Sequence, residues 1–165
     1  MADTPQLYLL RHADAGDPEA WQGDDAARPL SPKGRRQAER LGSHLTAIGF
    51  QPDAVVSSPK LRAAETAELA AAPLGCTVGI DERLASGVDL GTIAAILDEL
   101  GSPKRVVLVG HDPDFSEALS ALVGTEVPMK KGAIARIDLR DGLRPGGGVL
   151  RWLLPPDLVP ELPGA

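Results

Sequence analysis

Arg11, His12, Arg62 and His111 are the residues whose types and positions could do chemistry together. A guanidinium stays charged and presents a planar fork of donors, which suits the oxygens of a phosphoryl group. An imidazole beside two such groups can act as a nucleophile or as a general acid and base. Attack of imidazole on phosphorus would leave a phosphohistidine that water can cleave, with the cations stabilising charge on the equatorial oxygens. Taken singly, each residue also has a plainer explanation. The Arg11-His12 pair could be structural or simply exposed, Arg62 a solvated charge on an Ala-rich helix, and His111 a helix cap. His44 lies among polar neighbours and reads as a surface residue without a role. Three scattered His with no i, i+4 pair, and one Cys, do not make a metal site, so no metal and no cofactor are expected. The glycines at 146–148 lack the strand-to-helix context of a phosphate loop.

What makes the four residues a set is the elements that must position them. The apolar run 7–10 reads as a buried strand ending at Arg11-His12. The short run 53–56 reads as a second strand, stopped by Ser57-Ser58-Pro59, with Arg62 one turn into the Ala-rich helix 60–72. The β-branched run 105–109 is the clearest strand, and Gly110-His111-Asp112-Pro113 breaks it before a helix over 114–123. Other helices are expected over 33–48, entered through Ser31-Pro32 and closed by Gly49, and over 92–100. Further strands are expected at 76–80, at 133–139 near a sheet edge, and at 149–154. The polar stretch 14–32 reads as a long loop, and 155–165, with four prolines, as a docked or frayed tail. Strands alternating with helices imply an α/β fold in three layers, a mostly parallel central sheet flanked by helices. Ligands of such sheets sit beyond the carboxyl ends of the strands, which is where both His and both Arg fall.

Composition narrows the field further. A length of 165 residues implies a single domain over 1–165 that can bury a core of its own. The formal net charge of −6 and an aromatic fraction of 3% argue against a nucleic-acid partner, since phosphate neutralisation and base stacking both lack their residues. No stretch reaches the roughly 20 apolar residues needed to span a bilayer, so no membrane partner is expected. With a lone Cys76 and no signal-like start, the expected location is cytoplasmic. An acidic protein can still bind an anion where its cations converge in a cleft.

Four blocks then carry a family resemblance. Residues 7–15 read Leu-Tyr-Leu-Leu-Arg-His-Ala-Asp-Ala, and residues 57–66 read Ser-Ser-Pro-Lys-Leu-Arg-Ala-Ala-Glu-Thr. Residues 109–112 read Val-Gly-His-Asp, and residues 28–34 read Arg-Pro-Leu-Ser-Pro-Lys-Gly, followed by Gln37-Ala38. In this order they resemble the histidine phosphatase (phosphoglycerate-mutase-like) superfamily. The resemblance implies that fold, a metal-independent phosphoric hydrolase, His12 as the nucleophile, Arg11 and Arg62 as ligands of the phosphoryl oxygens, and His111 as the second pocket histidine.

Two departures bear on the substrate. Ala13 stands where the family usually has Gly, a small change that adds a Cβ. Mutases and many sugar phosphatases of the superfamily carry a Glu shortly after an Arg-Leu pair, whereas Arg83-Leu84 is followed here by Ala85-Ser86-Gly87. An alkoxide leaving group needs a proton in the transition state, and a positioned acid contributes about 10²–10⁴-fold. Imidazole leaves more readily, so a site without that acid suits P–N better than P–O bonds. The short chain, the Arg-His-Ala-Asp-Ala start at 11–15, the Arg-Pro-Leu-Ser segment at 28–31 and the Gly-Ala-Ile-Ala-Arg run at 132–136 resemble the SixA subgroup, which implies a phosphohistidine on a signalling or phosphotransfer protein as substrate. Two other readings stand beside it. One is a small-molecule phosphomonoesterase acting on a phosphate ester, with Asp14, Glu82 or another residue of the 14–32 loop as the acid. The other is a non-catalytic phosphate-binding module, which would not need the nucleophile His12.

Overall fold

The computed structural model describes residues 3–161. Six strands form one sheet in the order β3-β2-β4-β1-β5-β6. They are β1 (Gln6–Arg11), β2 (Ala54–Ser57), β3 (Val78–Ile80), β4 (Arg105–Gly110), β5 (Ile134–Asp138) and β6 (Val149–Leu154). Parallel pairing joins β3, β2, β4 and β1, while β5 and β6 run antiparallel and extend the sheet on the far side. The strand expected near an edge is β5, one position in, with β6 taking the edge itself. Its polar alternation is explained by Arg136 and Asp138, which pair with each other along the strand.

Period-2 alternation in the strands sorts the core into two halves. Leu7, Leu9, Val106 and Leu108 face one side and pack with Ile93 and Ile96 of α3 (Leu90–Glu99) and Phe115, Leu119 and Leu122 of α4 (Asp114–Val123). Tyr8, Leu10, Val107 and Val109 face the other and pack with Leu41 and Leu45 of α1 (Pro32–Ala47) and four alanines of α2 (Leu61–Ala71). This is the three-layer arrangement expected, with two helices on each face. The small side chains of α2 let the helices close in; a Cβ on Gly42 of α1 would lie 2.7 Å from the Ala70 carbonyl oxygen.

The helix signals hold in detail. Ser31 caps α1, its Oγ accepting from the Gly34 N–H at 3.0 Å, with Pro32 in the first turn and Gly49 at φ +75° after the end. Gly34 is also a close-approach site, because a Cβ there would lie 1.9 Å from the Asp14 carbonyl oxygen. The loop over 14–32 contains two short 3₁₀ turns, Pro18–Ala20 and Asp25–Ala27. The tail docks through buried Pro156 and Val159 as far as it is described; its residues 162–165 lie outside the described residues. Among the described residues, no helix is long and apolar enough to cross a membrane.

Candidate active site

The carboxyl ends of β1, β2 and β4 bring the four sequence-derived residues into one neighbourhood. His12 continues the β1 ladder by one residue, its N–H donating to the Gly110 carbonyl at 2.9 Å. On the other side the Gly132 N–H donates to the carbonyls of both Arg11 and His12, so the peptide bearing the imidazole is fixed from two directions. His111 follows β4 directly, and its ring centroid lies 5.3 Å from that of His12. Arg62 reaches in from the first turn of α2. His12, Arg62 and His111 are only 6%, 6% and 7% exposed.

The His12 ring has a defined tautomer. Its Nδ1 lies 2.7 Å from the Ala13 carbonyl oxygen, which can only accept. Nδ1 therefore carries the hydrogen, and in the neutral ring Nε2 carries the lone pair. Neutrality follows from the surroundings. Burial pushes the His12 pKa down to about 4, and the charges of Arg62, Arg11 and Lys131 push the same way, against the hydrogen bond to Ala13. Ala13 itself donates its N–H to Thr66 Oγ1 at 3.0 Å and is not among the positive-φ residues, so its Cβ introduces no backbone strain. Thr66, one helical turn after Arg62, is a support that the matched block contains but that sequence reasoning gave no role.

His111 is likewise neutral, held down to about 3 by burial first and then by the fields of His12, Arg62 and Lys60. Its Nε2 lies 2.8 Å from Ser58 Oγ, and that oxygen also accepts from the Lys60 N–H. A hydroxyl oxygen has a second lone pair and a hydrogen of its own, so Ser58 can serve either tautomer of His111, donating to Nε2 when the ring hydrogen is on Nδ1.

Both guanidiniums are gripped at their far ends. Arg11 Nη1 donates to the Met129 carbonyl at 2.7 Å and lies 3.3 Å from Asp112 Oδ2. Arg62 Nη1 donates to the Asp25 carbonyl at 2.9 Å and Nη2 meets Asp25 Oδ2 at 3.0 Å. Asp25 also pairs with Arg28, whose Nη1 donates to the Ala15 carbonyl. Asp25 and Arg28 come from the long loop, where no hydrophobic period signals which side chain returns to the sheet.

These grips leave a specific remainder. Among the described residues four buried side-chain nitrogens lack a partner, and three of them are Arg11 Nε, Arg62 Nε and His111 Nδ1. An unsatisfied buried donor costs about 1–3 kcal/mol. The two Nε–H donors, and His111 Nδ1 in the tautomer that carries its hydrogen there, can together receive an oxyanion beside the neutral His12.

Of the carboxylates considered as substitute acids, the aspartates are committed elsewhere. Asp14 Oδ2 accepts from Ser31 Oγ at 2.5 Å, which holds its carboxyl below the usual range. Asp81 is held low by its hydrogen bonds from Arg83, which is itself tied to Glu99. Asp25 is held low by Arg28 first and by Arg62 as well. Glu82 is exposed on a 3₁₀ turn (Glu82–Ala85). Ser86 follows that turn, and the Val88 N–H two residues on donates to Asp114 Oδ2, which brings this segment beside the start of α4.

Residues 7–99, more than half of the chain, match the sequence model of the histidine phosphatase superfamily, branch 1. The chain belongs to this superfamily. Among its histidine phosphatase relatives is the phosphohistidine phosphatase SixA of Escherichia coli, 26% identical over 157 residues that cover 92% of this chain and 94% of that protein. An uncharacterised protein of Picosynechococcus sp. is 37% identical over 144 residues, 83% of this chain and 86% of the relative. The solved structure of the protein histidine phosphatase SixA complexed with tungstate superposes with a TM-score of 0.79 at 25% identity, covering 92% of this chain and 97% of that one. The matched residues include three of the four sequence blocks, the fourth, 109–112, lying beyond them, and the superposition agrees with the three-layer fold.

Proposed function

We propose that this histidine phosphatase removes phosphate from phosphohistidine on a signalling or phosphotransfer protein. The observation that carries the reading is the set of unspent nitrogens, the Arg11 Nε and Arg62 Nε donors and His111 Nδ1, beside a neutral His12 whose lone pair is on Nε2. The Nε2 lone pair attacks phosphorus, and the bond from phosphorus to the substrate imidazole breaks; its electron pair returns to that ring, which leaves as neutral imidazole because its far nitrogen already carries a proton. The phosphoryl group is then on His12, its oxygens met by the two Nε–H donors and by His111 when its hydrogen is on Nδ1. Water attacks the phosphoenzyme in the second step, the Nε2–P bond breaks with its electron pair returning to the His12 ring, and inorganic phosphate leaves with both hydrogens of the water, one of which it can pass to solvent. Arginine donors aimed at the equatorial oxygens stabilise charge in both transition states.

The choice of phosphohistidine over an ester rests on the leaving group. Asp14, Asp25 and Asp81 are all held in the ionised form by their partners, and Ala85-Ser86-Gly87 after the Arg83-Leu84 pair offers no carboxylate where the family's acid is expected. An alkoxide would depart without a proton donor, whereas imidazole has little need of one. The likeness to SixA supports the same substrate class.

The test is a paired assay on a phosphohistidine protein and an alkyl phosphate. Wild-type protein should favour the first by a wide margin, and His12→Ala should abolish both activities. Ser86→Glu should raise alkyl phosphatase activity and leave phosphohistidine cleavage nearly unchanged. Equal wild-type rates on the two substrates would overturn the reading and point to an acid among Asp14, Asp25 and Glu82.

A further inference from the structure

Arg11 is held by a closed circuit that none of the sequence blocks explains. Its Nη1 donates to the Met129 carbonyl at 2.7 Å. The N–H of the same Met129 donates to Ser116 Oγ at 2.9 Å. The Ser116 hydroxyl donates in turn to Asp112 Oδ2 at 2.6 Å. Asp112 Oδ2 closes the ring on Arg11 Nη1 at 3.3 Å. A second bond, from the Ser116 N–H to Asp112 Oδ1 at 3.1 Å, fixes the plane of the carboxylate.

We propose that Ser116 and Asp112 are positioning residues for Arg11, the pair that turns its buried, unpartnered Nε toward the oxyanion. The inference rests on the reading of Arg11 as a phosphoryl ligand. The physical case is an accounting of hydrogen-bond capacity. Ser116 has one hydroxyl hydrogen, given to Asp112, and its lone pair takes the Met129 N–H. Met129 has one carbonyl, which is spent on Arg11. Each group in the circuit thus orients the next, and every link is partly buried, so water is a poorer partner than the groups in place. The circuit ties the end of β1, the turn after β4, the first turn of α4 and the segment before Gly132 to one guanidinium. Without it, Arg11 keeps its charge but loses its fixed direction, and geometry rather than charge decides a fork-like contact to phosphate.

A built-in control exists one turn along the same helix. Ser120 Oγ accepts the Val127 N–H at 2.8 Å, tacking down the same segment without touching Arg11 or Asp112. Loss of the Ser120 hydroxyl loosens the segment; loss of the Ser116 hydroxyl loosens the segment and also opens the circuit.

The experiment measures tungstate affinity by calorimetry, with a chelator present, alongside kcat/KM and the thermal midpoint. Ser116→Ala and Asp112→Asn should each weaken tungstate about tenfold, the size of one charge-assisted hydrogen bond made less favourable. Ser116→Thr, which keeps the hydroxyl, should restore most of the affinity. Ser120→Ala should bind tungstate like wild type even if its thermal midpoint falls. In an Arg11→Ala background, Ser116→Ala should add less than about twofold, because the group it positions is gone. The inference fails if Ser116→Ala binds like wild type, if Ser120→Ala is equally impaired, or if the Ser116 and Arg11 losses simply add. Wild-type protein that does not bind tungstate would instead overturn the phosphoryl-site reading, and this inference with it.

Discussion

The two arginine corners of the site reach the same arrangement with different materials. At Arg11 the guanidinium is held by the Met129 carbonyl, in the segment between α4 and β5, and by Asp112 in the two-residue turn between His111 and α4, with Arg11 and Asp112 side chains 21% and 19% exposed. At Arg62 both Nη atoms end on one residue, Asp25, in a short turn of the long loop, and its side chain is 55% exposed. The first corner is a framework, whose geometry is set when the sheet and α4 fold. The second is a strap, whose ion pair is reachable by water and salt. Exposed ion pairs contribute about 0–1 kcal/mol, while buried charge-assisted bonds contribute more. A phosphate receptor can therefore be built half from rigid architecture and half from a loop, provided the loop supplies a backbone carbonyl as well as a carboxylate.

The sharpest way to break that comparison is to remove each arginine. Arg11→Ala and Arg62→Ala should each lower kcat/KM on the order of 10²–10³-fold, as expected for loss of a transition-state donor. If one loss were tenfold or less while the other was full, the two corners would not be equivalent ligands.

Acid should act on what lies between the corners. His12 and His111, with pKa values near 4 and near 3 in the folded protein, lie below the value of about 6.5 for a free histidine. Between pH 6.5 and 4 the unfolded chain binds more protons, so folding stability is present above that window and falls as pH drops through it. Denaturant midpoints should decline from pH 7 to pH 4.5, and His12→Ala should remove part of the decline. An unchanged midpoint would mean that these rings are not buried in their neutral form.

A smaller effect separates framework from strap directly. Asp25→Asn should weaken tungstate a few-fold at low salt and hardly at all at 0.5 M, where an exposed pair is screened, roughly beyond 4–5 Å. The Asp112→Asn loss should be nearly independent of salt. Reversal of the two salt dependences would reverse the assignment of rigid and exposed corners.

The smallest expected effect concerns Lys130 and Lys131, just before Gly132. Lys131 lies near enough to bear on His12, and neither lysine has an ion-pair partner among the described residues. Neutralising both should lower kcat/KM a few-fold at low ionic strength and less at high, if they steer an anionic substrate. An unchanged rate at low salt would leave them as solvated charges.

The strand ends that carry the site were readable in the sequence and the groups that grip the two guanidiniums were not, for a physical reason. Apolar runs that stop abruptly, at Leu10, Val56 and Val109, mark where strands leave the sheet, so Arg11, His12, Ser57, Ser58 and His111 could be placed on one edge. Arg62 followed from helical spacing after Pro59. Asp25 and Arg28 obey no period; their return to the site depends on where a loop of nearly twenty residues is tacked down, by contacts such as Arg28 to the Ala15 carbonyl. The partners of Asp112 were equally silent, because Ser116 looks like any polar residue in the first turn of a helix. The Ala13 departure raised a question of backbone strain that only the observed conformation could answer.

Gly34 carries a consequence for how this protein can vary. A Cβ there would sit 1.9 Å from the Asp14 carbonyl oxygen, two residues past His12, so even the smallest side chain displaces the backbone beside that ring. In a saturation-mutagenesis library, position 34 should tolerate almost no replacement, although it bears no reactive group and lies outside the four residues that define the chemistry. Mutational intolerance in this family member thus reports clearance as well as reactivity, and a depletion map read as a map of chemical roles would count one residue too many.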